Sequence, residues 1–175
     1  MPPNYPALGR PDEKLLDDIF ELLKRNISAR AYDDENDAYA RQIRTLPVGL
    51  HAMAATHHLD VSMSLDDMGW RFLNFGEPHF VEETERGSRE LGVDAIAAWF
   101  AEAHVLFCPV RPLLSEDVEY FDALRQSGHE DRLNRLSRNY WEMEDASADE
   151  AFYKRAIYNA WIRHIRVYPE KAFPA

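Results

Sequence analysis

The chain has 175 residues, 46% of them hydrophobic, so it is long and apolar enough to fold around a core of its own. It carries 31 acidic and 20 basic residues, and its net charge of −11 argues against nucleic acid or an anionic membrane as a direct partner. A single cysteine, Cys108, excludes an internal disulfide framework and indicates a reducing compartment. The sequence shows neither a secretory signal nor an apolar run long enough to cross a bilayer, so we expect a cytoplasmic protein.

Prolines are separated by long proline-free segments, and the sequence lacks the alternating apolar and polar stretches with hairpin turns that strands require. This pattern predicts an all-α fold, a single compact bundle of about eight helices. We expect residues 1–10 to form a flexible arm and residues 11–175 to form one domain. The predicted helices cover residues 11–30, 35–46, 47–64, 78–91, 94–107, 115–128, 129–144 and 147–168.

The ends of these helices carry recognisable signals. Pro11 and the acids after it suit the N-terminus of the first helix. The third helix has one apolar face, made by Leu50, Met53, Ala54, His57 and Val61. Gly92 and Gly128 are expected to end the helices before them. Ser147 and Glu150 have the spacing of a capping box at the start of the last helix.

The segment "DVSMSLDDMGWRFLNFG", residues 60–76, interrupts this helical pattern. Gly69 is expected to let the backbone turn where a side chain would obstruct it. Asp66 and Asp67 are expected to cap the short helix that follows. We expect the aromatic side chains to fill the core and Asn74 to bond nearby backbone groups; the aromatic residues are Trp70, Phe72 and Phe75. We therefore favour a structural corner over a ligand pocket.

Motifs for catalysis or metal binding are weak. His57 and His58 are adjacent, so on a helix they point about 100° apart, and neither has a second ligand at the spacing of a helical metal site. We interpret His57 as a hydrogen-bonded core histidine and Cys108, near His104, as a buried thiol. The phosphate-binding glycine motifs and the serine nucleophile motif are absent. We expect no metal, no cofactor and no enzymatic activity.

The acidic residues are the strongest functional signal. Several have a base four residues later, a spacing that supports a solvated helix, among them Glu21–Arg25, Asp37–Arg41, Glu82–Arg86, Glu85–Arg89, Asp131–Arg135 and Glu150–Lys154. Outside these pairs, acids are concentrated in four groups: Asp33, Asp34 and Glu35; Asp66 and Asp67; Glu116, Asp117, Glu119 and Asp122; and Glu142, Glu144, Asp145 and Asp149. A plain solvated surface explains such groups, and so does a surface for a basic partner. If the acids form a surface for a basic partner, we predict contact through the acids between 116 and 149, with 33–35 as a second patch.

Several strings resemble a bacterial all-helical family that includes acidic DNA-mimic proteins. They are "LPVGLHAMAATHHLD", "GWRFLNFG", a helix ending in "ELG", "AIAAWFAEAHVLF" and the closing "IRHIRVYPEKAF". Members of that family carry Asn-Gly-Gly-aromatic, then a glutamine and an aromatic pair before an asparagine. Here only Gly69, Trp70 and Asn74 correspond. Tyr168 stands where the family usually has a histidine before Pro169.

The resemblance implies a non-enzymatic protein that occupies the nucleic-acid-binding face of a basic protein such as a transcription regulator. Direct binding to nucleic acid or membrane is not expected, and both a monomer and a dimer remain open. Two alternatives stay open as well. One is an immunity or inhibitor protein that neutralises a basic enzyme or toxin. The other is a ligand-binding or enzymatic bundle that uses His57, His104 and the segment 66–75.

Overall fold

The computed structural model describes residues 9–28, 37–115, 118–144 and 151–173. Within these ranges the chain forms nine α-helices and no named strand, which confirms the predicted all-α class. The helices are α1 (Asp12–Asn26), α2 (Ala38–Ile43), α3 (Val48–Leu65), α4 (Met68–Asn74), α5 (Pro78–Glu90), α6 (Asp94–Phe107), α7 (Tyr120–Ser127), α8 (Glu130–Glu142) and α9 (Ala156–Val167). Among these helices, none has both the length and the apolar character that crossing a membrane requires.

Helix α3 lies at the centre of the bundle. It is buried on nearly all sides and contacts helices from both halves of the chain, including α5, α4, α8 and α9. A helix that is apolar around its whole circumference is stable only when other elements surround it. Its closest neighbour is α5, because Gly87 lets the two backbones approach: a Cβ at Gly87 would lie 2.9 Å from the carbonyl oxygen of Ala52. The side chains that α3 carries are therefore held in fixed positions.

The outer helices are amphipathic and place one apolar stripe each against this centre. In α1 the buried residues are Leu15, Leu16, Ile19 and Leu23, at the spacing of one helical face. All nine α-helices of the described chain contribute to one contiguous hydrophobic cluster. Its largest fully buried aromatic residue is Trp161 of α9, whose Nε1 donates a hydrogen bond to Thr56 of α3 at 2.9 Å.

Several predicted helix ends agree with the structure. Pro78 occupies the first turn of α5, where its missing N–H costs no hydrogen bond. Gly128 ends α7 with a φ of 74°, a left-handed conformation that glycine adopts without steric cost. Gly92 follows α5 with a φ of 71°. The proline and glycine signals thus located helix boundaries within a few residues.

Several boundaries differ from the prediction. The last helix starts at Ala156 rather than at 147, because Arg155 is extended and its side chain reaches Asp60 in the interior. The proposed capping box, Ser147 and Glu150, lies outside the described residues. The helix predicted at 115–128 is α7, and it starts at Tyr120, since Glu119 is extended. The short helix expected after Asp67 is α4, which has seven residues.

Candidate functional site

The corner between α3 and α4 is organised by Asp67. Its Oδ1 accepts a hydrogen bond from the backbone N–H of Trp70 at 2.7 Å, so Asp67 is the N-cap of α4, as predicted. The hydroxyl of Tyr120 donates to the same carboxylate at 2.8 Å, which ties α4 to α7. Asp66 does not cap α4. It ends α3 instead, where its N–H donates to the carbonyl of Ser62.

Gly69 lies inside the first turn of α4, so its role is close packing and not the backbone turn that we predicted. A Cβ at this position would overlap the hydroxyl of Tyr120. Phe72 fills the core as expected, whereas Trp70 and Phe75 are only partly buried. Asn74 is exposed, and its Nδ2 donates to the carbonyl of Trp70 at 2.9 Å.

Arg71 is the residue of this segment that the sequence reasoning missed. It is fully buried, yet no carboxylate lies within ion-pair distance of it among the described residues. Its guanidinium donates to the carbonyl of Phe75, at the C-terminal end of α4, and to the hydroxyl of Thr84 at 3.0 Å. The ring of Phe80 lies 4.3 Å from its Cζ. The negative end of the α4 dipole and the aromatic face compensate the charge.

Burial lowers the pKa of Arg71 to about 9, which still leaves it charged at neutral pH. Arg111 supports the same helix end from outside, donating to the carbonyls of Phe72 and Gly76 at 3.0 and 3.1 Å. A sequence signal existed, because an arginine sits among three aromatic residues in "GWRFLNF". These contacts support the interpretation of the segment as a structural corner.

Acids that are far apart in sequence meet around Tyr120. Burial raises the pKa of its hydroxyl, and the charges of Asp67, Asp66 and Glu130 raise it further. Asp66 also has a raised pKa, because of its partial burial and the nearby charge of Asp67. Glu119 is the residue directly before Tyr120 and is exposed. We call Asp66, Glu119, Glu130 and Asp131 the α7–α8 acidic patch.

The other predicted partner-binding acids have mixed positions. Asp122 is paired with Arg125 on its own helix, so it is not an isolated charge as its sequence context suggested. Glu142 is exposed, whereas Glu144 is half-buried and accepts a hydrogen bond from the N–H of Ala156 at 3.4 Å. The remaining predicted acids lie outside the described residues: Asp33, Asp34, Glu35, Glu116, Asp117, Asp145 and Asp149.

Helix α8 separates the acidic patch from Glu142. Its length from Glu130 to Glu142 corresponds to roughly 18 Å at the usual helical rise. Between these ends its exposed face carries arginines, namely Arg132, Arg135 and Arg138. The acids at the two ends therefore do not form an unbroken stripe along this helix.

Two of the predicted (i, i+4) ion pairs have other partners. Glu85 and Arg89 do pair, at 2.7 Å. Glu21 pairs with Lys24 instead of Arg25, and Arg86 pairs with the buried Glu83 instead of Glu82. Glu83 also lies 2.8 Å from His51 and 2.5 Å from Arg44.

That cluster borders a surface groove of about 520 Å³ between α3 and α5. The charged groups along it are matched internally: His51 and Arg86 by Glu83, Arg89 by Glu85, and Glu90 by Lys171. Burial lowers the pKa of His51, so the imidazole is neutral at pH 7. We see no preference for one sign of ligand charge in this groove.

The histidines named for a possible enzymatic site contact different side chains. His57 lies against the rings of Phe20 and Trp161, and its Nδ1 is 3.0 Å from the hydroxyl of Tyr158. Burial lowers the pKa of His57 to about 4, so it is a neutral core residue at pH 7. His104 instead stacks on Phe72, with ring centroids 5.3 Å apart.

Cys108 is exposed, so the prediction of a buried thiol was wrong. It is the residue after the end of α6, where Phe107 takes the buried position. Its exposure gives it access to solvent, while the ring of His104 stacks on Phe72.

A buried polar cluster around Asp60 joins α3, α8 and α9. The carboxylate is 1% exposed, accepts a hydrogen bond from Tyr140 at 3.0 Å and forms an ion pair with Arg155 at 3.0 Å. Burial raises its pKa to about 6, more than Arg155 and the tyrosines lower it. Nothing in the local sequence around Asp60 indicated this, because its partners lie 80 and 95 residues later.

Within the described ranges, no group of three or more acids, histidines or cysteines is arranged to hold a metal ion. No family model matches the chain, and no curated protein or solved structure matches it either. The functional argument therefore rests on the geometry and charge of this chain.

Proposed function

We propose that this chain is a non-enzymatic interaction protein that binds a basic protein in the cytoplasm through the α7–α8 acidic patch. One observation carries the proposal. The four acids of the patch come from three separate segments, and none has an ion-pair partner among the described residues. Like charges gathered without a compensating base lower the stability of the folded chain, and a basic partner would relieve that repulsion.

The patch is also rigid. Asp66 ends the central helix α3, and Tyr120 is hydrogen-bonded to the neighbouring Asp67. Glu130 and Asp131 lie in the first turn of α8, where the positive end of the helix dipole stabilises carboxylates. Charges fixed in this way need not be ordered on binding, which reduces the entropic cost of association.

The specific form implied by the family resemblance is a DNA mimic that covers the nucleic-acid-binding face of a transcription regulator. Such a face is basic and binds phosphates, so carboxylates on rigid helices can take their place. Association should then be fast, weakened by salt and competitive with DNA.

A second form, an inhibitor of a basic enzyme or toxin, is favoured by a separate observation. Phe121 is 49% exposed although it is large and apolar, and it lies between Glu119 and Asp122. Its ring contacts that of Tyr120, with centroids 4.9 Å apart. An exposed aromatic residue surrounded by acids is typical of a hot spot that enters a pocket of the partner.

The first experiment is a pull-down from lysate of the native host, eluted in salt steps, with duplex DNA added as a competitor. We expect a basic protein to elute as salt rises. The triple variant Glu119→Lys, Glu130→Lys, Asp131→Lys should lose it. A matched control makes the same charge change on exposed acids elsewhere, Asp17→Lys, Glu21→Lys and Glu82→Lys, and should retain it. Equal binding by both triple variants would overturn the proposal.

The variant Phe121→Ala separates the two forms. For a DNA mimic we expect little change in affinity, because phosphate-like contacts are carried by the carboxylates. For an inhibitor we expect a loss of tenfold or more, since truncating a hot spot costs about 2 kcal/mol. Competition by duplex DNA should accompany the first result and be absent with the second.

A further inference from the structure

The outer face of α8 carries both signs of charge. Four exposed charged residues follow one another along this face, at the (i, i+4, i+7, i+11) spacing: Asp131, Arg135, Arg138 and Glu142. The opposite face of the helix is buried against α6, α4 and α3. Asp131 belongs to the α7–α8 acidic patch, whereas the two arginines behind it have no role in the proposed protein interaction.

The two arginines of this face are not paired within their own helix. Asp131 and Arg135 have the spacing of an intrahelical ion pair, yet they do not form one in the structure. Arg132, on the side of the helix that faces α6, is paired with Glu102 at 2.5 Å. Arg135 and Arg138 form no ion pair with any of the described residues. The face therefore presents a carboxylate near its N-terminal end and guanidinium groups along its middle.

This order of charges is complementary to a second copy of the same helix in antiparallel orientation. In a two-fold symmetric contact, residue i of one copy meets residue j of the other, and j meets i. If the contact is centred between Asn134 and Arg135, Asp131 of each copy lies level with Arg138 of the other, since both are roughly 5 Å from the centre along the axis. A parallel pair would place like charges together, so the charges favour the antiparallel orientation.

An exposed aromatic residue extends the same surface. Trp141 is 43% exposed, and its ring is held in place because Nε1 donates to the carbonyl of Met63 at 2.8 Å. In the antiparallel arrangement it lies level with the turn between α7 and α8 of the other copy. A large aromatic side chain that is already ordered loses little conformational entropy on binding. Contact between two copies thus adds apolar burial at both ends of the paired charges.

We propose that a second copy of this chain docks on the outer face of α8, antiparallel to it, with Asp131 of each copy paired with Arg138 of the other. The contact is small, so the dimer is weak and reversible. It covers Glu130 and Asp131 of the α7–α8 acidic patch, so the two copies must separate before a basic protein binds there. The dimer does not need such a partner, and only this competition rests on the proposed function.

Sedimentation equilibrium of the purified chain tests the proposal, at about 0.1 M salt and at concentrations up to about 1 mM, where weak interfaces are populated. We expect the weight-average mass to rise with concentration above that of one chain, 20.3 kDa. Asp131→Arg and Arg138→Asp should each weaken dimerisation by about tenfold or more, because each change places like charges opposite one another twice in the symmetric contact.

A mixture of the two variants identifies the pairing. A mixed dimer places the new arginine of one variant opposite the new aspartate of the other, and leaves one native pair intact. We therefore expect the equimolar mixture to associate more strongly than either variant alone, and the double variant to dimerise like the wild type. The matched controls Asp17→Arg and Arg25→Asp make the same charge changes on exposed residues of α1 and should also dimerise like the wild type.

The proposal is overturned if the wild type keeps the mass of one chain throughout, if either α8 variant dimerises as tightly as the wild type, or if the mixture associates no more than its components. Arg138→Asp also separates the dimer from the proposed protein interaction, because it keeps all four acids of the patch. It should bind the basic partner at least as tightly as the wild type, and weaker binding would overturn the competition. Failure to capture any partner would count against the proposed function but leave the measured masses unchanged.

Discussion

Arg71 and Asp60 are two of the charged side chains buried in this bundle, and the fold neutralises them differently. Arg71 forms no ion pair with a carboxylate among the described residues and is held by the carbonyl end of α4, the hydroxyl of Thr84 and the ring of Phe80. Asp60 is held by a conventional set of partners, the guanidinium of Arg155 and the hydroxyl of Tyr140.

The difference lies in where the compensation comes from. Arg71 is neutralised by partners within 13 residues, most directly by the backbone of its own helix. Asp60 depends on side chains that reach it only after α8 and α9 have docked. Arg71 keeps its charge at neutral pH, whereas the raised pKa of Asp60, about 6, lets it change protonation near physiological pH. A helix end thus holds a buried charge without making it sensitive to pH.

The largest expected effect comes from Arg71→Ala. The change leaves a cavity and removes the donors to the Phe75 carbonyl and the Thr84 hydroxyl, so we expect the free energy of unfolding to fall by about 3–5 kcal/mol. Urea denaturation measures this. Arg111→Ala removes an exposed arginine from the same helix end and should cost about 1 kcal/mol. A loss no larger for Arg71→Ala than for Arg111→Ala would contradict the role of Arg71.

The second prediction concerns the pH dependence of Asp60. Because its pKa is raised from 3.8 to about 6, the folded state binds more protons than the unfolded state between these values. The stability linked to this group is therefore present below pH 3.8 and is lost as pH rises through 6, by about 3 kcal/mol in total. Asp60→Asn removes the titration and should remove this loss.

The measurement is the difference in unfolding free energy between wild type and Asp60→Asn at pH 4, 5 and 6.5. The comparison of the two proteins is needed because the buried histidines change the unfolding free energy with pH in the direction opposite to Asp60. The pKa of His57 is lowered to about 4 and that of His58 to about 2, so their stability is lost as pH falls below 6.5. Both proteins contain these histidines, so their contributions cancel when the unfolding free energies are subtracted. Parallel pH curves for the two proteins would show that Asp60 is not the titrating group.

These two residues also mark the limit of what the sequence could predict. Helix positions followed from proline and glycine punctuation and from amphipathic spacing, which are local. Helix α4 was expected as a short helix after Asp67, but its bounds were not predicted because seven residues are too few to establish a period. The burial of Arg71 and Asp60 was not predicted, since it depends on tertiary packing.

The candidate site was predictable to a similar extent. Asp66 and Asp67, and the group that contains Glu119, were recognised as groups of acids in the sequence. Their meeting with Glu130 depends on the hydrogen bond between Tyr120 and Asp67, 53 residues apart. The exposure of Phe121 at the same place was not predictable either, because its helix has neighbours only in the folded chain.

The smallest expected effect concerns Gly69, at the N-terminal end of α4, opposite the end that holds Arg71. Gly69→Ala places a Cβ against the hydroxyl of Tyr120, which must move and strain its bond to Asp67, so we expect a loss of about 2 kcal/mol. Removing that hydroxyl makes room for the methyl group. In a Tyr120→Phe background, Gly69→Ala should therefore cost less than 1 kcal/mol. Equal costs in both backgrounds would show that the two residues do not interact.

The pairing of Asp12 with Arg166 joins residues 154 positions apart, while the central packing of α3 against α5 and of α5 against α6 involves neighbours in sequence. Local contacts form quickly, whereas a long loop must close before the terminal helices can dock. The terminal helices α1 and α9 are thus expected to join last during folding and to separate first in native-state hydrogen exchange, with α3 the slowest to exchange. The central helices would then fold first, and the two ends of the chain would dock together to complete the bundle.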